Sequence, residues 1–183
     1  IAEKAAAGVL QSDSASRVFE VRARIGMGLI SVSRRDATEA HRQHEALVSL
    51  VESPGYWLTY ICIDRILGLL ANTMGDWDLA SGHFETALDF CRRAGHMPEV
   101  AWSAHDYAEA LAQRHGPGDI AQAKSLLGES SAICTELGIN GLSMRLPVLQ
   151  ELADSTPARA SAGPDGLTQR EVDVIRLVAA GRT

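Results

Sequence analysis

Residues 65–95 read RILGLLANTMGDWDLASGHFETALDFCRRAG, and residues 25–55 read IGMGLISVSRRDATEAHRQHEALVSLVESPG. Laid over one another at a shift of 40, Gly28 meets Gly68, Leu29 meets Leu69, and Asp36 meets Asp76. Ala40 then meets Ala80, Glu45 meets Glu85, and Gly55 meets Gly95. A third copy keeps the 40-residue shift in its first half, where Tyr107, Ala108 and Leu111 match Leu67, Gly68 and Ala71. After a turn longer by three residues the shift becomes 43. Asp119, Ala123, Leu127, Cys134 and Gly138 then match Asp76, Ala80, Phe84, Cys91 and Gly95. Self-similarity at such a period is the mark of stacked supersecondary units, each burying its apolar face on its neighbours.

Each unit reads as a pair of helices. Val18, Val21, Ile25, Leu29 and Val32 fall on one helical face that only Arg22 interrupts, and Ile61, Ile66, Leu67 and Leu70 on another that only Asp64 interrupts. The spacing predicts helices over 2–10, 16–33, 37–53, 56–74, 77–94, 98–115, 119–137, 141–153 and 169–180, and no strands. Asp36, Asp76 and Asp119 stand where second helices begin, so their carboxylates are expected to cap free N–H groups. Glu39 and Gln122 would complete capping boxes with Asp36 and Asp119. Ala40, Ala80 and Ala123 are small where a partner helix must come close, and Gly55, Gly95 and Gly138 end the second helices. The fold class is therefore all-α: an α-solenoid of antiparallel helix pairs over residues 1–153.

The second helix resembles that of tetratricopeptide repeats. Ala80, Phe84 and Ala87 reproduce that family's Ala-x3-Phe-x2-Ala, and Leu67-Gly68 match its Leu-Gly, whereas Ala71 stands where the family has Tyr. The period of 40 exceeds the family's ~34. The resemblance implies a long-helix variant, and the residues expected to carry the packing are Gly28, Ala40, Gly68, Ala80, Phe84, Ala87, Ala123 and Leu127.

Residues 154–166 (DSTPARASAGPDG) hold only small or polar side chains with two prolines and two glycines, and read as a flexible linker. A new element then opens. Thr168 and Glu171 have capping-box spacing, Leu167 and Val172 that of a hydrophobic staple, and Val174, Ile175 and Val178 form an apolar stripe closed by Gly181. Residues 167–183 resemble the start of a LuxR-type helix-turn-helix domain, whose opening Leu-Thr-x-Arg-Glu is matched by Leu167, Thr168, Arg170 and Glu171. The resemblance implies that this is the first helix of a four-helix unit, truncated here. The recognition helix would lie beyond Thr183, so no base-reading residue is named. Repeats followed by such a domain resemble the large, maltose-activator-like LuxR-family regulators of bacteria. Those carry an ATP-binding module upstream of the repeats. No phosphate-binding Gly-x4-Gly-Lys pattern occurs in the 183 residues, so such a module is expected before Ile1, and the natural N-terminus with it.

The resemblance implies signal sensing and transcription regulation: repeats that receive a signal or protein partner, or self-associate, and control a DNA-binding domain. The alternatives are an interaction scaffold without DNA binding, and the tail of a multidomain ATPase or cyclase. Charge agrees with the division of labour. The net charge is −6, all of it in residues 1–153, which makes the repeats a poor grip for phosphate backbones. No stretch approaches the ~18 apolar residues of a membrane span. Cys62, Cys91 and Cys134 are too few and too far apart for a disulfide framework, so a cytoplasmic setting is the default.

Catalytic signals are absent, and no enzyme, cofactor or metal is expected within the chain. His41 and His44 have an i, i+3 spacing that suits a metal ion, but His44 fills the repeat position of Phe84 and Leu127, which favours packing. Cys91 and Cys134 are repeat equivalents and read as small buried side chains. Trp57, Trp77 and Trp102 read as fillers between helix pairs ahead of a ligand-lining role.

Overall fold

A computed structural model of the chain describes residues 2–12, 16–50, 57–58 and 61–147. These residues form eight helices and one minimal hairpin: α1 (Ala2–Leu10), α2 (Arg17–Arg34), α3 (Ala37–Leu50), β1 (Trp57–Leu58), β2 (Ile61–Cys62), α4 (Ile63–Met74), α5 (Trp77–Ala94), α6 (Met97–Arg114), α7 (Asp119–Leu137) and α8 (Asn140–Ser143). The helices pack as the pairs α2/α3, α4/α5 and α6/α7. Successive pairs join through α3 on α4 and α5 on α6, and the first helices through α2 on α4 and α4 on α6. α1 packs on α2, where the second helix of a preceding pair would lie. The architecture is an all-α helical repeat. The linker 154–166 and the segment 167–183, with Leu167, Thr168, Arg170 and Glu171, lie outside the described residues, as does Gly55.

The repeat register has a steric basis. An added Cβ on Gly28 would stand 3.2 Å from Leu70 Cδ2, and one on Gly68 would stand 2.9 Å from Phe84 Cε1. Equivalent glycines thus take large side chains from different sources, Gly28 from the next pair and Gly68 from its own. Ala40, Ala80, Phe84, Ala87, Ala123 and Leu127 are all buried. The Phe84 ring stacks on Tyr107, with centroids 5.3 Å apart and an interplanar angle of 17°. Alanine at the contact points lets helix axes approach closely enough for these rings to fill the space between them. Two apolar clusters result, one spanning Val21 to Leu70 and one spanning Cys62 to Leu146.

The helix ends also repeat. The first helices close on Arg35, Gly75 and His115, at 40-residue intervals, each in the left-handed conformation (φ 55°, 80° and 54°). Only one of the three is glycine. Second helices α5 and α7 close on left-handed Gly95 and Gly138, whose freedom at positive φ suits the position.

Four expectations are corrected. The helix expected over 56–74 begins only at Ile63, because Trp57-Leu58 and Ile61-Cys62 pair as an antiparallel hairpin. Aromatic and β-branched residues favour strand there, and the Cys62 N–H is held by the Glu99 carboxylate at 3.1 Å. β2 enters the packing, with Cys62 fully buried in one apolar cluster and Ile61 against the other. The apolar face expected on α2 is rotated: Val21 and Ile25 are buried with Gly28, while Val18, Leu29 and Arg22 are exposed. The stripe turns so that Gly28 receives Leu70 of α4, while Val21 and Ile25 share a buried cluster with Ile63, Ile66, Leu67 and Leu70. The helix expected over 141–153 is interrupted: α8 ends at Ser143, a turn follows at Met144–Arg145, helix resumes at Leu146–Pro147, and 148–153 lie outside the described residues.

The caps are the fourth correction. Asp36 and Asp76 accept the N–H groups of Glu39 (3.0 Å) and Leu79 (3.1 Å). Glu39 turns instead to Arg42 and Gln43, so no reciprocal box closes. Asp119 does not cap α7, whose N-cap is Gly118. The longer turn carries Asp119 back onto the loop, where it accepts the Gly116 N–H at 2.6 Å and a two-pronged pair from Arg114 at 2.9 and 2.7 Å. The Arg114 hydrogen bonds, against the opposing effect of burial, hold the Asp119 carboxyl below its usual range. A depressed acid contributes stability above its unfolded pKa, near 3.9, and loses it as pH falls through the folded value. Asp119→Asn is therefore expected to cost about 1.5–3 kcal/mol at neutral pH. In urea titrations it should also flatten the acid-side decline below pH ~4. An unchanged acid limb would assign the decline to other groups.

Candidate functional site

The polar interruption on the α4 stripe leads to the first cluster. Asp64 is 5% exposed, and a carboxylate so placed needs a partner. Asp64 Oδ1 lies 3.2 Å from Nδ1 of His83 on α5. Nε2 of His83 in turn lies 3.3 Å from Nε2 of His44 on α3, with ring centroids 5.3 Å apart. Three residues from three helices thus form a chain across the first two helix pairs. Burial, followed by the fields of His83 and His41, lowers the basicity of His44, against the pull of Asp76 and Glu45. His41 takes no part in it. It is exposed on the same helix and faces Glu45, with Nε2 3.4 Å from Oε1.

A second cluster ties α4 to α6. Arg65, 12% exposed at its side chain, sends Nε to Glu99 Oε1 (2.5 Å) and Nη1 to Asp106 Oδ2 (2.7 Å). Burial opposes the Arg65 charge, but Asp106 and Glu99 outweigh it and raise its pKa. Asp106 Oδ1 lies 3.1 Å from Nδ1 of the buried His105. The Trp102 ring has guanidiniums at 5.8 Å (Arg65) and 5.6 Å (Arg145), within cation–π range. Trp102 is half-buried and packs against the larger apolar cluster. Trp77 is half-buried, and the Trp57 side chain lies outside the described residues.

The first helices α2, α4 and α6 enclose a cleft of about 510 Å³. Arg35, Asn72, Thr73, Asp106, Glu109 and Gln113 are among its lining residues. Asn72 donates to Gln113 at 3.1 Å across it. Mixed charge and amide groups suit a polar ligand or an extended peptide.

No family model, curated protein or solved structure matches this chain.

The packing residues named from the repeat lie inside the two apolar clusters or against them and form no chemical site. Cys62, Cys91 and Cys134 are free and buried. The Cys91 thiol is held in hydrogen-bond contact with Cys62, which together with burial pushes its pKa up. Sequence reasoning did not find His83, Glu99 or Asp106. For His83 the signal was present: a lone Asp64 on an apolar stripe requires a donor on the facing helix. Glu99 and Asp106 gave no such sign, because α6 is buried on most of its circumference and shows no clear stripe.

Proposed function

We propose that this chain is the repeat-and-linker portion of a LuxR-type transcriptional regulator. In this reading the helical repeats receive a signal or protein partner and govern a C-terminal DNA-binding domain that begins at Leu167. The observation that carries it is the dense match of residues 167–183 to the opening of that domain, directly after a Pro/Gly-containing linker. The polar cleft between α2, α4 and α6 supports the receiving role, and the acidic balance of residues 1–153 argues against DNA contact by the repeats. No described helix is long and apolar enough to cross a membrane.

The test extends the chain with the thirty or so residues encoded after Thr183. Asn-(Arg/Lys)-Glu-Ile-Ala followed by a basic amphipathic helix is expected there. The extended protein should bind DNA sequence-specifically, with affinity falling as salt rises through counterion release. The 183-residue chain should show no specific shift in a gel. Specific binding by the shorter chain, or an encoded extension without such a helix, would overturn the reading.

A further inference from the structure

At the position of His44 the second and third repeats place Phe84 and Leu127, both fully buried and apolar. An apolar side chain packs there without cost, whereas an imidazole must be desolvated. The first repeat spends that cost to set His44 against His83, nitrogen to nitrogen. Their 3.3 Å separation is at the long end of hydrogen-bond distances. It agrees with the ~3.3–3.4 Å between two imidazole nitrogens bound at ~2.0–2.1 Å to one tetrahedral ion.

The surroundings are arranged for the same end. Asp64 accepts the Nδ1 proton of His83, which fixes the tautomer and leaves the Nε2 lone pair facing His44. Carboxylates take this place behind metal-binding histidines, where they orient the ring and raise its basicity. Asp76 and Glu45 add negative field at His44. The His83 side chain is 18% exposed, which leaves a path from solvent.

We propose that His44 and His83 bind a borderline divalent metal ion, zinc by its chemistry, at the junction of the first two repeats, with Asp64 as the positioning residue. Imidazole donors suit zinc, copper and nickel in preference to calcium or magnesium. The remaining positions of a four-coordinate ion fall to water or a small anion. The site pins α3 to α5, and the proposal stands apart from the regulator reading.

The experiment treats the full chain with chelator, then titrates Zn(II) by calorimetry and Co(II) by visible absorption. One equivalent of Zn(II) is expected, with binding that weakens as the pH falls, because metal and protons compete for the same imidazole nitrogens. Nitrogen NMR should show both Nε2 resonances moving while His83 Nδ1 keeps its proton. His44→Leu, which installs the third repeat's own packing residue, and His83→Gln should each abolish stoichiometric binding with unchanged helical circular dichroism. Asp64→Asn should weaken it ~10–100-fold, and His41→Ala should leave it intact. Absence of binding at millimolar Zn(II) would show that the pair shares only a proton and would overturn the proposal. So would binding that survives His44→Leu or leaves the two Nε2 resonances unmoved, a readout that needs no variant to fold.

Discussion

Phe84→Ala is expected to lower stability by about 3–5 kcal/mol, the range for truncating a fully buried aromatic. The ring lies between two surfaces that cannot close over the gap. On one side is Gly68, whose missing side chain makes room for the ring edge, and on the other is Tyr107, stacked at 5.3 Å. Tyr107 is itself tethered by its hydroxyl, which donates to Glu85 at 3.1 Å. Backbone and tether together limit relaxation, so the cost should fall at the upper end. Urea unfolding followed by circular dichroism measures it. Phe84→Leu, the third repeat's solution at Leu127, should recover most of the loss. A Phe84→Ala protein within ~1 kcal/mol of wild type would mean that the α4–α5 contact is looser than the geometry implies.

Arg65→Ala is expected to cost a similar amount, about 3–5 kcal/mol, for a different reason. The substitution removes the guanidinium and leaves two nearly buried carboxylates, Glu99 and Asp106, facing each other without a cation. Unpaired buried charge is the expensive outcome, more than loss of the attraction itself. The triple variant Arg65→Met, Glu99→Leu, Asp106→Leu removes all three charges together. It should restore most of the stability, although the Cys62 N–H loses its acceptor. Because Arg65 stands over the Trp102 ring, tryptophan fluorescence supplies a local readout beside the global melt. Equal stability of the single and triple variants would refute the charge-burial account.

The repeat was legible because sterics impose it on the sequence. Gly28 and Gly68 each receive a large side chain, and Ala40, Ala80 and Ala123 are enclosed, so identity at 40- and 43-residue shifts marks these positions. The ends of α4, α5, α6 and α7 followed from glycine and proline, whereas α2 closes on Arg35 with neither beside it. The hairpin at 57–62 was missed because helix period and strand propensity compete over so short a run, and tertiary contact with Glu99 decides. Asp119 was misread because repeat equivalence preserved its residue type while three added loop residues changed its partner. The polar clusters were the least legible. Their members lie far apart in sequence (His44 with His83, Arg65 with Glu99 and Asp106), and spacing within one helix carries no sign of a partner on another.

α4 supplies side chains to both apolar clusters: Ile63, Ile66, Leu67 and Leu70 to one, Ala71 to the other. Its neighbours pack chiefly on elements close to them in the chain, so little long loop closure is needed to assemble them. The order of events follows from this placement. Residues 61–146 contain two complete pairs and the larger cluster, and are expected to form the segment from which folding spreads outward. The α1–α3 end adds to a surface already prepared by α4 and is expected to leave first when the chain is heated or pulled. A force applied between the ends would therefore extend the protein in steps, with the stretch before α4 released ahead of the rest.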